Sequence, residues 1–110
     1  MLGIQKAPDF IGDFDIQFRW YAFEADWNVA MRYLSAVHQT LELLAYQPAL
    51  GRERRFRDPR LRGLRSFRTQ QPFNKHLIFY RYDATTLFAE RIAHGARNLP
   101  RRLLQRPGTD

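Results

Sequence analysis

The chain contains no cysteine, which excludes disulfides, thiolate-bound zinc and cysteine nucleophiles together. Histidine is scarce as well: there are three, and His38 and His76 stand at no ligand spacing to any other metal-binding side chain. Neither a metal nor any other cofactor is expected. No apolar run approaches the ~20 residues that cross a bilayer, and the N-terminal stretch MLGIQKAPDF is expected not to be a signal peptide, having neither a positively charged start nor an apolar stretch after it. These absences point to a soluble, cytoplasmic protein with no membrane partner. No internal repeat occurs in the 110 residues, and one compact domain over 1–110 is the expectation.

Lysine is nearly missing too, because sixteen of the eighteen basic residues are arginine. Arginine's planar fork suits carboxylates, phosphates and aromatic faces. The net charge of +7 is unevenly distributed. Residues 1–50 carry three basic and six acidic groups, whereas GRERRFRDPRLRGLRSFR at 51–68 carries eight arginines and two acids. Such a block favours an anionic partner, either a polyanion or an acidic polypeptide. Phe56, Leu61, Leu64 and Phe67 are interleaved through it, so the block is expected to be docked on the core with its guanidinium groups outward. Its alternative is a solvated, flexible connection.

The first half of the chain reads as helical. Phe10, Phe14, Phe18, Tyr21 and Ala25 recur at three and four residues, one face of a helix over about 9–24, with Asp13 and Asp15 placed to complement its dipole. Asp26 caps a second helix whose stripe is Ala30, Tyr33, Leu34, Val37, Leu41 and Leu44, stopped by Gln47-Pro48. The second half shifts to β-formers over Arg65–Gln70, His76–Tyr82 and Leu87–Ala93, with Gly3–Lys6 as a possible extra strand. Asn98 and Pro100 predict a short terminal helix. The expected fold is therefore α+β, in the order β-α-α-β-β-β(-α). An antiparallel helix pair packs on one face of a three- to four-stranded antiparallel sheet and leaves the other face free. A two-residue loop at Ala84-Thr85 would oppose Arg81 to Phe88, Phe79 to Glu90 and Leu77 to Ile92, with Arg81 and Glu90 diagonal neighbours. A one-residue change in that loop would exchange the two faces.

On this element order, the segments PALGRERRF, LRGLRSFR, HLIFYRYD and RIAHGAR resemble the ParE (plasmid stabilisation) branch of the RelE/ParE toxin superfamily over about residues 4–103. The most telling positions are Pro48, Leu50, Gly51 and Arg52 after the second helix, Leu64-Arg65 entering a strand, Phe79-Tyr80-Arg81, and Arg91, His94 and Arg97 leaving the last strand. The resemblance implies a toxin of a type II toxin–antitoxin system, held inactive by a cognate antitoxin that wraps it. In the ParE branch the target is DNA gyrase; in the RelE branch it is mRNA on the ribosome. Under the first reading the chain is a binding protein rather than an enzyme. Its partner-binding residues are then Arg52, Arg54, Arg55, Arg57, Arg65, Arg91, His94, Arg97, Arg101 and Arg102.

Under the second reading the chain is a metal-independent endoribonuclease. In-line attack by a ribose 2′-oxygen needs a base, an acid for the leaving oxygen and cations for the phosphorane. Glu53 could serve as base, Arg65, Arg68 and Arg81 as phosphate clamps, and His94 as acid. Against this, residues 97–110 contain no tyrosine or histidine. Glu53 also sits between arginines that can simply pair with it. The strand arginines Arg81 and Arg91 have a structural reading as well, since arginine is rarely buried unpaired.

Overall fold

A computed structural model describes residues 1–95 and 98–109. Strand β1 (Gly3–Lys6) leads into helix α1 (Pro8–Glu24), then helix α2 (Trp27–Tyr46), a 3₁₀ turn over Pro48–Leu50 and strand β2 (Arg52–Glu53). A second 3₁₀ turn (Pro59–Leu61), strands β3 (Arg65–Arg68), β4 (His76–Tyr82) and β5 (Thr86–His94), and helix α3 (Leu99–Leu104) complete the order. The α+β class, the helix pair and the three central strands all follow the sequence pattern.

Local chemistry sets the helix ends. Pro8 occupies the first turn of α1, where its missing N–H is harmless. The Asp26 carboxylate caps α2 by accepting from the Val29 N–H at 2.9 Å. The chain turns back at Ala25-Asp26, so α2 runs along α1. Phe14 stacks on Tyr33 with ring centroids 5.2 Å apart, and Phe18 meets Trp27 edge-on at 5.5 Å.

The sheet differs from expectation in composition. It has five strands in the order β1-β5-β4-β3-β2. It is mixed, because β1 pairs parallel to β5 while every other pair is antiparallel. A strand that must reach the sheet again through a helical hairpin can return parallel, and Gly3 N–H to Thr85 O (2.9 Å) and Ala7 N–H to Ala89 O (2.9 Å) fix that edge. The fifth strand is β2, two residues of the arginine block paired with Ser66 and Arg65. Its composition hides it, since arginine carries little strand signal.

The register holds and then slips. Arg81 opposes Phe88 as the two-residue loop requires, but a bulge between Phe79 and Tyr80 leaves Glu90 as the extra residue of β5. Beyond it Phe79 opposes Arg91 and Leu77 opposes Ala93, in place of Glu90 and Ile92. The slip turns Ile92 to the side of Ile78, into the core beneath the helices.

Nor is the second sheet face free. Strand β4 is apolar on both sides: Ile78 and Tyr80 face the helix pair, and Phe79, flanked by Leu77, faces the other way. A strand of that kind needs cover on both faces. Leu61 and Leu64 of the arginine block, with Leu99 and Leu103 of α3, supply the second cover around Phe79 and Ala93.

Candidate partner-binding site

The arginine block is docked. Leu61 and Leu64 are buried against Phe79, with Phe56 packed beside them, while Phe67 turns to the helix-side core. What holds its backbone in place is the set of arginines on the strands beneath. The Arg65 guanidinium donates to Gly51 O at 2.8 Å and Ala49 O at 3.2 Å and lies 5.8 Å from the Tyr82 ring centroid. Arg81 donates to Arg62 O at 2.9 Å and Arg60 O at 2.7 Å, and its Nη1 is 3.8 Å from Glu90. Tyr80 adds a third brace: its hydroxyl donates to Pro48 O at 2.6 Å and accepts from the Gly51 N–H at 2.9 Å. A side chain at Gly51 would run into that ring, since a Cβ there would lie 2.7 Å from Cε1 of Tyr80.

The block also closes on itself. Asp58 caps the turn at Pro59–Leu61 by accepting from the Arg60 N–H at 2.9 Å, and it takes the Arg60 guanidinium at 2.8 Å and 3.1 Å. Those bonds hold the Asp58 carboxyl down at about 2. Arg54 folds inward, its Nε on Ser66 Oγ at 2.7 Å and its guanidinium 5.9 Å from the Phe79 centroid. Burial, and secondarily Arg52, lower its pKa from the usual arginine value. Arg52, Arg55, Arg57 and Arg62 are exposed, without a side-chain hydrogen bond or ion pair to any described residue. Beside them a groove of 550 Å³ runs along β2 and β3, with Leu50, Phe67 and Leu77 as its apolar part and Arg52, Arg54 and Arg68 as its charge.

The remaining predicted residues occupy other parts of the sheet. Arg91 is turned inward at the edge of β5 beyond β1. It forms a two-pronged pair with Asp13 (2.8 and 3.0 Å) and donates to the carbonyls of Arg102, Leu103 and Gln105 at the end of α3. Its donors are engaged within the chain, where they hold the end of α3. Arg102 reaches back to His94 O at 2.7 Å, and Arg101 lies exposed on the same helix. Arg97 lies outside the described residues. The His94 ring stands 4.7 Å from that of His76, whose Nε2 is 2.8 Å from the Tyr21 hydroxyl. Burial, and to a lesser extent His94, depress His76 to about 4.

The five residues suited to RNA cleavage do not converge. Arg65 opposes Tyr80 and His94 opposes His76, which puts both on the helix side of the sheet. Four residues and two strand spacings separate them, roughly 16 Å. Arg68 and Arg81 oppose Leu77 and Phe88 on the other side. Glu53, opposite Arg65, is exposed at the β2 edge. No single phosphate can meet all five.

Two features escaped the sequence reading. Asp13 looked like a helix-dipole residue, yet its place one turn after Phe10 borders the buried ladder, and that border position is the signal for a buried ion partner. The other is a set of exposed apolar side chains on the helix pair: Phe23 is 84% exposed, Trp27 62%, Trp20 56% and Ile16 47%. Among the described residues no three His, Asp or Glu side chains are grouped to hold a metal ion, and no helix is long and apolar enough to cross a membrane.

Residues 4–99 match the family described as the ParE toxin of the type II toxin–antitoxin system, parDE. No curated protein sequence matches the chain. Among solved structures, a chain of the chromosomal ParDE toxin–antitoxin system from P. aeruginosa superimposes with a TM-score of 0.69 at 14% identity, covering 87% of this chain and 98% of that one. At that identity the likeness is one of fold.

Proposed function

The chain belongs to the ParE toxin family of type II toxin–antitoxin systems, and from that premise we propose that it arrests growth by binding DNA gyrase and is neutralised by a cognate, acidic antitoxin. The observation that carries this reading is the division of labour among the arginines. Arg65 and Arg81 donate to the backbone of the block, and this leaves Arg52, Arg55 and Arg57 outward on a backbone already held in place. A fixed cationic rim loses little side-chain entropy on contact, steers an acidic chain to it and sets its register. The groove at Arg52, Arg54 and Arg68 gives such a chain apolar floor as well as charge. The exposed Trp20, Phe23 and Trp27 are the residue types that dominate protein–protein contacts. A toxin acting on gyrase works in the cytoplasm and needs no metal.

Induction without the antitoxin should bring persistent gyrase–DNA breaks and a DNA-damage response, and purified toxin at saturation should inhibit supercoiling. Full supercoiling activity at saturation would remove gyrase as the target. Cleaved messages on translating ribosomes, abolished by His94→Ala or Arg81→Ala, would install the ribonuclease reading in its place.

A further inference from the structure

Between the first turns of α1 and the middle of α2 the surface opens into a cavity of 290 Å³. Its walls are Phe10, Ile11, Phe14, Leu34 and Val37. Phe10 and Val37 are buried, whereas Ile11, at the mouth, is 53% exposed. Lys6 and His38 complete the lining, which contains no carboxylate. Among the described residues Lys6 is thus the one fixed charge in a lining that is otherwise hydrocarbon and aromatic. It is also one of only two lysines in a chain that elsewhere uses arginine.

The cavity stands at the lower end of ligand-pocket sizes, about 300–1,000 Å³, so it fits a fragment-sized body rather than a cofactor. Apolar walls reward an apolar body for leaving water. One lysine in the lining, with no carboxylate among the described lining residues, rewards an anionic head through a charge-assisted hydrogen bond and disfavours a cationic one. We propose that this cavity binds a small amphiphilic carboxylate, with its hydrocarbon or ring portion between α1 and α2 and its carboxylate on Lys6, and with His38 as a second polar contact. This inference is independent of the gyrase reading.

Octanoate, octylammonium and acetate serve as probes, titrated into the full-length protein and followed by ¹H–¹⁵N NMR. Octanoate should saturate with a dissociation constant on the order of a millimolar, with shifts centred on Phe10, Ile11, Phe14, Leu34 and Val37. Octylammonium should bind at least about fivefold more weakly, and acetate should give no saturable shift. Lys6→Glu should reverse the order of the two octyl probes. Lys75→Glu, which changes the net charge equally from an exposed turn, should leave it unaltered. Ile11→Trp, at the exposed mouth, should abolish octanoate binding without unfolding the protein. Equal affinity for octanoate and octylammonium would overturn the proposal, marking a surface that takes any apolar group, a partner's side chain included. Octanoate binding that survives Lys6→Glu, or no saturable binding at all, would overturn it equally.

Discussion

Asp13 and Arg91, seventy-eight positions apart in the chain, form a two-pronged pair at 2.8 and 3.0 Å with only 10% and 11% of their side chains exposed. The same carboxylate accepts the Ile92 N–H at 2.9 Å, a donor on the part of β5 that β1 is too short to cover. The far side of the guanidinium donates to the carbonyls closing α3, where a cation meets the negative end of a helix. One ion pair therefore ties α1, the sheet edge and α3 together.

Arg91→Ala should destabilise the protein by roughly 3–5 kcal/mol, because it strands a buried carboxylate. Asp13→Asn keeps the shape but loses the charge and should cost less, about 1–3 kcal/mol. Urea unfolding of both single variants and the double variant measures the coupling. Costs that simply add would show that the two side chains do not act as a pair.

Tyr80 carries two polar partners of the rim backbone on one hydroxyl. Tyr80→Phe leaves Gly51 N–H and Pro48 O unpaired and should cost about 1–3 kcal/mol. Gly51→Ala forces a Cβ into the Tyr80 ring and should cost a similar amount. Faster amide exchange at residues 49–55 in either variant, relative to wild type, checks that the loss is local to the rim.

Tyr33 offers the opposite case. It is fully buried, and its hydroxyl has no hydrogen-bond partner among the described residues. Tyr33→Phe removes an unsatisfied polar atom while keeping the ring stacked on Phe14, so thermal unfolding should show a gain of about 1 kcal/mol. A loss of stability would mean that the hydroxyl is satisfied in solution.

His76 makes stability depend on pH. Its imidazole is buried against Tyr21 and Tyr33, next to His94, and burial depresses it from the usual histidine value near 6.5 to about 4. The unfolded chain therefore takes up a proton that the folded one refuses. The contribution is fully present above about 6.5 and is lost as the pH falls toward 4, by roughly 3 kcal/mol in total. Urea unfolding at pH 7, 5.5 and 4.5 should show that slope in the wild type and a flatter one in His76→Gln.

The helices were legible because their signals are local. The spacing of Phe10, Phe14, Phe18 and Tyr21, the cap at Asp26 and the stop at Gln47-Pro48 each act within one turn. The bulge at Glu90 was not, because it depends on which residues of β5 the core accepts, and one extra residue changes that without altering local composition. The cover over Phe79 and the strand hidden in Arg52–Glu53 were obscured in the same way: arginine dominates a segment whose few leucines do the packing. At the site, the block's outward charge was readable from composition. The bracing function of Arg65, Arg81 and Arg91 was not, since a carbonyl partner leaves no trace in the sequence.

On the proposed function, the braced backbone presents Arg52 and Arg55 to an acidic antitoxin, and the deciding quantity is the affinity of Arg52→Glu/Arg55→Glu for that antitoxin. Titration calorimetry at low and at physiological salt should show a loss on the order of a hundredfold, with the wild-type affinity itself falling as salt rises and the melting temperature of the free toxin unchanged. Undiminished affinity in a folded double variant would contradict the claim.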